Sequence, residues 1–161
     1  MLATDVKVLL DAQGVWYLNV PHAVAYTTQE TAEATRVPGW MMAKTVIVML
    51  DGRMAMAVVP ASSRVNLDAL AYVTGAADVE LASEAEFDAQ FPGIESGAMP
   101  PFGNLYDLPV YVSKELTSNR WIACNAGTHH DIIELAYADF ERLVKPTVLR
   151  LSTHETLVGV G

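Results

Sequence analysis

The chain of 161 residues is long enough for one domain with its own hydrophobic core. A hydrophobic fraction of 52% and a charged fraction of 18% exclude an intrinsically disordered chain, and no apolar run approaches the roughly 20 residues that span a membrane. A net charge of -9 argues against DNA binding and against any broad nucleic-acid surface, although it leaves room for a small basic patch.

The N-terminus shows no basic region leading into an apolar segment, so no signal peptide is predicted. Cys124 is the single cysteine, which rules out an internal disulfide and favours a reducing, cytoplasmic setting. We expect one domain over residues 1–146 and a tail, 147–161, that could add one strand.

The first half of the chain predicts alternating helices and strands. In chain order these are a helix over Asp5–Gln13, a strand over Val15–Val20, an extended segment over Ala23–Tyr26, a helix from Thr27 to about Arg36, and strands over Ala43–Leu50 and Met54–Val59. The run Ala43–Leu50 is nearly all apolar and rich in β-branched residues, which predicts a strand covered on both faces. The pair Asp51-Gly52 predicts a tight hairpin turn after it.

The second half continues this alternation. It predicts a helix from Asn66 to before Gly75, a short strand over Val79–Leu81, a helix from Ser83 to Gln90, a strand over Pro109–Val112, a brief turn or helix over Lys114–Leu116, strands over Trp121–Cys124 and Asp131–Leu135, a helix over Ala138–Val144 and a strand over Val148–Leu151. Because tight turns join several strand pairs, an α/β or α+β domain on a mixed sheet is favoured.

The stretch from Gly97 to Asn104 combines two glycines and two prolines with apolar residues. This composition argues against both a helix and a central strand. One interpretation is a structural turn packed over the core. The other is a stiff turn that holds a small molecule against main-chain N–H groups.

Lys44 begins the strongest predicted strand and shares a face with Val46, Val48 and Leu50. An ammonium group entering an apolar face is costly unless it reaches water or a partner. Either the side chain extends to solvent at the strand end, or it places a cation at the mouth of a pocket.

Other reactive residue types form no recognisable constellation. His22, His129, His130 and His154 lack the spacing of a metal site, and Cys124 on a predicted buried strand is interpreted as an inert core residue. No motif for a serine nucleophile, a phosphate-binding loop or a dinucleotide is present, so no cofactor is expected. An enzyme built from this sequence would act mainly by positioning and electrostatics.

Three segments together resemble the YbaK family of aminoacyl-tRNA editing domains, which is related to the insertion domain of bacterial prolyl-tRNA synthetases. They are Ala43-Lys44-Thr45-Val46, the loop Gly97-Ala98-Met99-Pro100-Pro101-Phe102-Gly103, and Asn125-Ala126-Gly127-Thr128-His129, and the likeness runs from about Val15 to Lys145. The resemblance implies a mixed, mostly antiparallel, partly barrel-like sheet surrounded by helices. It also implies a free-standing deacylase that hydrolyses the ester of a mischarged tRNA carrying a small amino acid, with a tRNA for proline as the expected substrate.

The resemblance assigns roles to individual residues. Lys44 matches the family's essential lysine, and Gly97 and Pro101 match the ends of its GxxxP loop. By the same resemblance we expect Ala98, Met99, Thr45, Gly127, His22 and His129 to contribute to substrate binding. A ribose hydroxyl of the tRNA would help to activate water, loop N–H groups would hold the ester carbonyl, and Lys44 would fix the terminal phosphate or adenosine. Neither a metal nor a protein general base is implied.

The implied partner is the acceptor end of an aminoacyl-tRNA. An acidic chain should bind tRNA weakly by itself, so affinity would come from a synthetase partner or from contact with the acceptor end alone. Two other hypotheses remain open. One is a non-catalytic module that binds a nucleotide, an aminoacyl-adenylate analogue or a partner protein in the same pocket. The other is an interaction protein with Trp40-Met41-Met42 as an exposed apolar patch, a run that we otherwise interpret as core.

Overall fold

The computed structural model describes residues 3–22, 27–95 and 97–154. The helices are α1 (Ala3–Ala12), α2 (Thr28–Thr35), α3 (Leu67–Thr74), α4 (Glu84–Gln90), α5 (Lys114–Thr117) and α6 (Tyr137–Val144). The strands are β1 (Tyr17–Pro21), β2 (Met42–Leu50), β3 (Arg53–Pro60), β4 (Ser63–Val65), β5 (Val79–Leu81), β6 (Val110–Ser113), β7 (Trp121–Asn125), β8 (Asp131–Ala136), β9 (Thr147–Leu149) and β10 (Ser152–His154). The extended segment predicted over Ala23–Tyr26 and the tail beyond residue 154 lie outside the described residues.

A mixed eight-stranded sheet forms the centre of the fold. Its strands run in the order β1-β8-β7-β2-β3-β6-β9, and β5 adds to β2 beside β7. Four of its pairings are antiparallel and three are parallel. A separate antiparallel pair joins β4 to β10. The predicted fold class, a mixed sheet flanked by helices, is confirmed. None of the helices in the described ranges is both long and apolar enough to cross a membrane.

The sequence missed or misjudged a few local features. Strands β4 and β10 were not predicted. Each has three residues, and among the described residues its single partner is the other strand, which is distant along the chain. The proline-rich stretch was expected to exclude helix, yet Gly103–Leu105 forms one 3-10 turn. A single such turn is compatible with the prolines because they precede it. The Leu105 N–H donates to the Phe102 carbonyl at 3.0 Å, and the Tyr106 N–H donates to the Gly103 carbonyl at 2.9 Å.

Apolar side chains cover both faces of the β2–β3 hairpin, as the continuous apolar run predicted. On one face Ile47 and Met56 belong to the main core with α1, α4 and α6, while on the other Val48 and Val59 pack with α3. Asp51 and Gly52 both have positive φ angles, as the predicted turn requires.

The run Trp40-Met41-Met42 is split between surface and core. Met42 is fully buried, whereas Trp40 is 59% exposed. The interpretation of this run as core is therefore wrong for Trp40. Its position just before β2 explains the error, because burial along a strand says nothing about the residues that lead into it.

The beginnings of two helices are fixed by capping side chains, at the residues from which the sequence predicts each helix to run. Ser83 and Glu86 form a complete capping box at α4, with bonds of 3.1 and 2.8 Å. At α2, the Thr27 hydroxyl accepts the Glu30 N–H at 3.0 Å. Capping of this kind satisfies helix N–H groups that have no intrahelical partner, so it sets where each helix starts.

Among the residues that the structure describes, one edge of β2 is paired at its two ends and open between them. Strand β3 pairs with the other edge from Ala43 to Leu50. On the open edge, β7 reaches only Met42 and Ala43, and β5 reaches Val48–Leu50. The Ile47 carbonyl accepts the Ala82 N–H on this edge at 3.0 Å. Because backbone groups alternate between the two edges of a strand, those of Thr45 point into the remaining gap.

Replacing Gly103 with alanine should destabilise the fold. An added Cβ would overlap the Val110 side chain and approach the Leu108 carbonyl oxygen to 2.6 Å. We expect a loss of about 1–3 kcal/mol in the free energy of unfolding, measured with urea. Asn104→Ala, at the exposed neighbouring position, is the control. A Gly103→Ala protein as stable as this control would contradict the packing described.

Candidate functional site

A cleft of about 320 Å³ opens at the gap in the edge of β2. Residues 44–47 of β2 form its floor, and the first residues of α2 and α4, the end of β5 and the loop at Gly97 form its sides. This volume lies at the lower end of the range for small-molecule sites. The cleft therefore lies where the pairing of the sheet is interrupted.

The cleft combines apolar walls with a few polar groups. The apolar side chains that line it are Val46, Ile47, Leu81, Ala82, Phe87 and Met99. The polar lining residues are Thr27, Thr28, Lys44, Thr45, Ser83 and Glu84. Among the described residues, the buried Thr45 hydroxyl has no hydrogen-bond partner. Apolar walls with a few fixed polar groups are typical of sites that orient a small ligand.

Lys44 reaches back toward β4 from the floor of the cleft. Its Nζ donates to the Ser63 carbonyl oxygen at 2.6 Å. Burial lowers the pKa of Lys44, and the nearby positive charge of Arg64 lowers it further. An ammonium group has three protons, so the bond to Ser63 anchors the side chain and leaves two protons for a ligand.

The loop at Gly97 is held by a buried polar network. The Gly97 carbonyl accepts from Asn125 Nδ2 at 3.2 Å and from the Thr28 hydroxyl at 3.4 Å. Asn125 Nδ2 also lies 3.3 Å from the Thr28 hydroxyl oxygen. Asn125 and Thr28 are 2% and 5% exposed. Gly97 itself has φ +85°, a conformation that glycine adopts without steric cost. The glycine thus allows the turn, and the hydrogen bonds from its neighbours hold it in place.

A second set of contacts supports the loop from behind. Gly127 donates its N–H to the Ala98 carbonyl at 2.9 Å, and its own carbonyl accepts from Glu95 at 3.4 Å. The Glu95 carboxylate lies 3.0 Å from His129 Nε2. The turn after β7 therefore positions the Gly97 loop without lining the cleft.

The structure brings together some of the residues singled out in the sequence. Lys44, Thr45, Gly97 and Met99 all line the cleft. Ala98, Pro101 and Gly127 are buried and are not among its lining residues.

The two candidate histidines also lie outside the lining. His129 is 7% exposed and pairs with Glu95. His22 follows β1, and its N–H donates to the His130 carbonyl at 2.8 Å. His129 and His130 lie in the turn before β8 rather than on a strand, with His129 buried and His130 exposed.

The interpretation of Cys124 as an inert core residue agrees with its environment. The side chain is fully buried, and burial raises the pKa of its thiol to about 12. Within the described residues, no group of three or more His, Cys, Asp and Glu side chains is arranged to hold a metal ion.

Thr28 and Asn125 were missed by sequence reasoning. Thr28 follows Thr27, at which the sequence predicts a helix to begin, and Asn125 begins a segment that the sequence did single out. Their contact with one another spans 97 residues of chain. Only their closeness in the sequence to recognised motifs could have suggested these two residues, because no local pattern encodes a contact between residues so far apart in the chain.

Comparison with known proteins identifies the family and the fold. The sequence model of the aminoacyl-tRNA editing domain family matches residues 22–143. The crystal structure of hypothetical protein APE2540 superposes with a TM-score of 0.83 at 21% identity, covering 92% of this chain and 99% of that one. A protein described as a proposed trans-editing enzyme for prolyl-tRNA synthetase superposes with a TM-score of 0.79 at 19% identity, covering 94% and 96%. Comparison with curated proteins gives no match. At these identities the structural likenesses establish the fold alone.

Removing the Asn125 amide should loosen the Gly97 loop. We expect Asn125→Ala to lower the free energy of unfolding by about 1–3 kcal/mol, because it leaves buried acceptors without their donor. Hydrogen exchange at the Ala98 N–H, which bonds the Glu95 carbonyl, should become faster. Asn119→Ala, which removes a more exposed bond to the Trp40 carbonyl, is the matched control. Equal effects of the two variants would argue against the network.

Removing the charge of Arg64 should raise the pKa of Lys44. Both burial and Arg64 penalise the charged amine, so Lys44 loses its proton at a lower pH than an ordinary lysine. With a lower pKa folded than unfolded, the unfolded chain binds more protons between the two values, and this contribution to stability rises with pH there.

The test of this coupling is an NMR titration of the Lys44 side chain in Arg64→Gln. Its pKa should move upward, toward that of an ordinary lysine. Arg53→Gln, at the hairpin end of β3 and far along the strand from Lys44, is the control and should leave the titration unchanged. A shift of similar size in both variants would mean that net charge, and not Arg64, sets the pKa.

Proposed function

Since the chain belongs to the aminoacyl-tRNA editing domain family, we propose that it is a free-standing deacylase that removes a small amino acid from a mischarged tRNA. The observation that carries the proposal is that Lys44 and Gly97 line the same cleft. They are 53 positions apart in the sequence and lie on different elements, so their meeting is a property of the fold.

The proposed reaction is hydrolysis of the aminoacyl ester. The oxygen of a water molecule bonds to the ester carbonyl carbon, the bond from that carbon to the ribose oxygen breaks, and the ribose oxygen takes up a proton. Cys124 is buried and its thiol pKa is raised to about 12, which argues against it as a nucleophile. We assign activation of the water to the neighbouring ribose hydroxyl of the substrate.

Electrostatic positioning is the contribution that we assign to the protein. Lys44, anchored by the Ser63 carbonyl, would donate its remaining protons to the phosphate or adenosine end of the tRNA. The Gly97 N–H would donate to the ester carbonyl, where negative charge develops as water attacks. The bonds from Asn125 and Thr28 to the Gly97 carbonyl support this role, because a donor that is already fixed need not reorganise during the reaction.

Selection for a small amino acid would come from the apolar wall. Phe87 and Met99, both nearly buried, limit the space beside Gly97. One extra methylene group changes the free energy of binding by only about 1–3 kcal/mol. A synthetase therefore cannot fully reject a slightly smaller amino acid by binding alone and needs a second site of this kind.

A tRNA for proline is the substrate we propose to test first. The similarity to a protein described as a proposed trans-editing enzyme for prolyl-tRNA synthetase supports this choice. The net charge of -9 favours an arrangement in which the protein contacts only the acceptor end or obtains affinity from a bound synthetase.

Replacing Lys44 should slow deacylation strongly. We expect purified protein to release alanine or another small amino acid from a mischarged tRNA for proline, and Lys44→Ala to slow this about 10²–10³-fold because it removes a preorganised cation. Lys114→Ala, an exposed lysine at the start of α5, is the control and should keep full activity. Urea unfolding of both variants separates loss of activity from loss of fold.

Two outcomes would contradict the proposal. A panel of mischarged tRNAs left intact at micromolar protein would exclude the deacylase. Thermal stabilisation of the protein by a nucleotide or an aminoacyl-adenylate analogue, without turnover, would favour the non-catalytic binding module in its place.

A further inference from the structure

The three tryptophans of the chain surround a second cavity, of about 450 Å³. Trp16 and Trp40 are 63% and 59% exposed, and Trp121 is 38% exposed. Trp16 and Trp121 pack edge to face, with ring centroids 5.5 Å apart. We refer to this cavity, with Arg120 and Glu134 at its wall, as the tryptophan pocket. Large aromatic rings gathered at a water-exposed pocket are typical of binding surfaces.

The charged groups of the tryptophan pocket are not used by the fold. Neither the Arg120 guanidinium nor the Glu134 carboxylate forms a hydrogen bond or an ion pair within the described residues. The pocket wall, in contrast, is held firmly. Asn119 donates to the Trp40 carbonyl at 3.0 Å, and the Arg120 carbonyl accepts the Tyr137 N–H at 3.0 Å. The pocket thus offers a formed apolar surface with one free donor group and one free acceptor group.

This combination matches the chemistry of an unpaired nucleobase. Bases in single strands stack on aromatic side chains or on arginine planes, and they are read through hydrogen bonds to their edges. A carboxylate accepts from the exocyclic amine of cytosine or adenine, and a guanidinium donates to the ring acceptors beside it. Arg120 is the single cation among the residues lining the pocket, so it does not suit the closely spaced phosphates of a duplex.

The position of the tryptophan pocket relates it to the cleft. Helix α2 begins at the cleft, where Thr27 and Thr28 line it, and the segment after the helix leads to Trp40 at the pocket. Eight helical residues span about 12 Å. Two sites separated by a helix of this length and the short segment 36–39 are close enough for nucleotides of one strand to reach both.

We propose that the tryptophan pocket binds an unpaired base of the tRNA acceptor end, cytosine or adenine, while the terminal aminoacyl-adenosine occupies the cleft. The proposal rests on the proposed function for the identity of the RNA. Base stacking in the pocket would also contribute affinity for RNA that does not depend on a basic surface, which this acidic chain lacks.

The experiment measures binding of uncharged RNA, so it does not depend on turnover. The probe is a fluorescently labelled single-stranded oligoribonucleotide that ends in CCA, and its affinity is measured by anisotropy. We expect Trp40→Ala and Trp16→Ala to weaken binding about 5- to 150-fold, the range for loss of one stacked base. Tyr72→Ala, which removes an aromatic side chain that is 90% exposed on α3, should leave the affinity unchanged.

Three further comparisons test the assignment. An oligomer of uridine alone should bind more weakly than the CCA-ended one, because uracil has no exocyclic amine for Glu134. A blunt RNA duplex should also bind more weakly. In the deacylation assay, Trp40→Ala should raise KM for the charged tRNA and leave kcat nearly unchanged, since the pocket lies away from the ester.

Several results would overturn the proposal. Equal affinity of the tryptophan variants and the native protein for the CCA-ended oligomer would exclude stacking in the pocket. Binding of free CMP or AMP as tight as that of the oligomer would indicate a site for free nucleotides. Loss of binding to prolyl-tRNA synthetase in the variants, with RNA binding unchanged, would indicate a protein interface. Trp40-dependent RNA binding without any deacylation would instead refute the proposed function and leave the RNA site standing.

Discussion

Incomplete pairing of strand β2 is the constraint on which the site depends. An unpaired peptide group that is also buried is costly, so a gap in a sheet is tolerated only where water or a ligand reaches it. Here β7 and β5 each cover one end of the same edge, and the four residues between them, 44–47, line an open cleft. Strand β2 pairs with β3 along its other edge and has apolar layers on both faces, so Lys44 projects from a well-supported strand.

Rigidity on the opposite side of the cleft comes from polar contacts. From Gly97 onward, where the structure describes the loop, it has no strand pairing, and Asn125, Thr28 and Gly127 hold it by hydrogen bonds to main-chain groups. These bonds lie in a largely buried setting, where a satisfied polar network specifies one arrangement more strongly than it would at the surface. A site made of one rigid strand and one rigid loop can position a substrate without any reactive side chain of its own.

The charge of the chain and the chemistry of the cleft can be reconciled at the scale of the site. The whole molecule is strongly acidic, yet Lys44 and Arg64 lie close enough for the charge of one to lower the pKa of the other. Lys44 lines the cleft and Arg64 does not, so the positive charge within the cleft lining is that of Lys44. Screening by salt acts over about a Debye length, roughly 10 Å at moderate salt, so an anion bound in the cleft is affected more by this charge than by surface charges farther away.

Local signals in the sequence determined the secondary structure and the family resemblance. The two-residue period placed Lys44 on the same face as Val46 and Val48, and the Ser83 capping box set the start of α4, because each depends on residues within a few positions of one another. Only the tertiary structure decided that Thr28 and Asn125 hold Gly97, that His129 pairs with Glu95 behind the loop, and that Trp40 joins Trp16 and Trp121 at the surface. Those contacts join residues distant along the chain, and their geometry is set by which strands pair and where the pairing stops. No periodicity or short motif records that information.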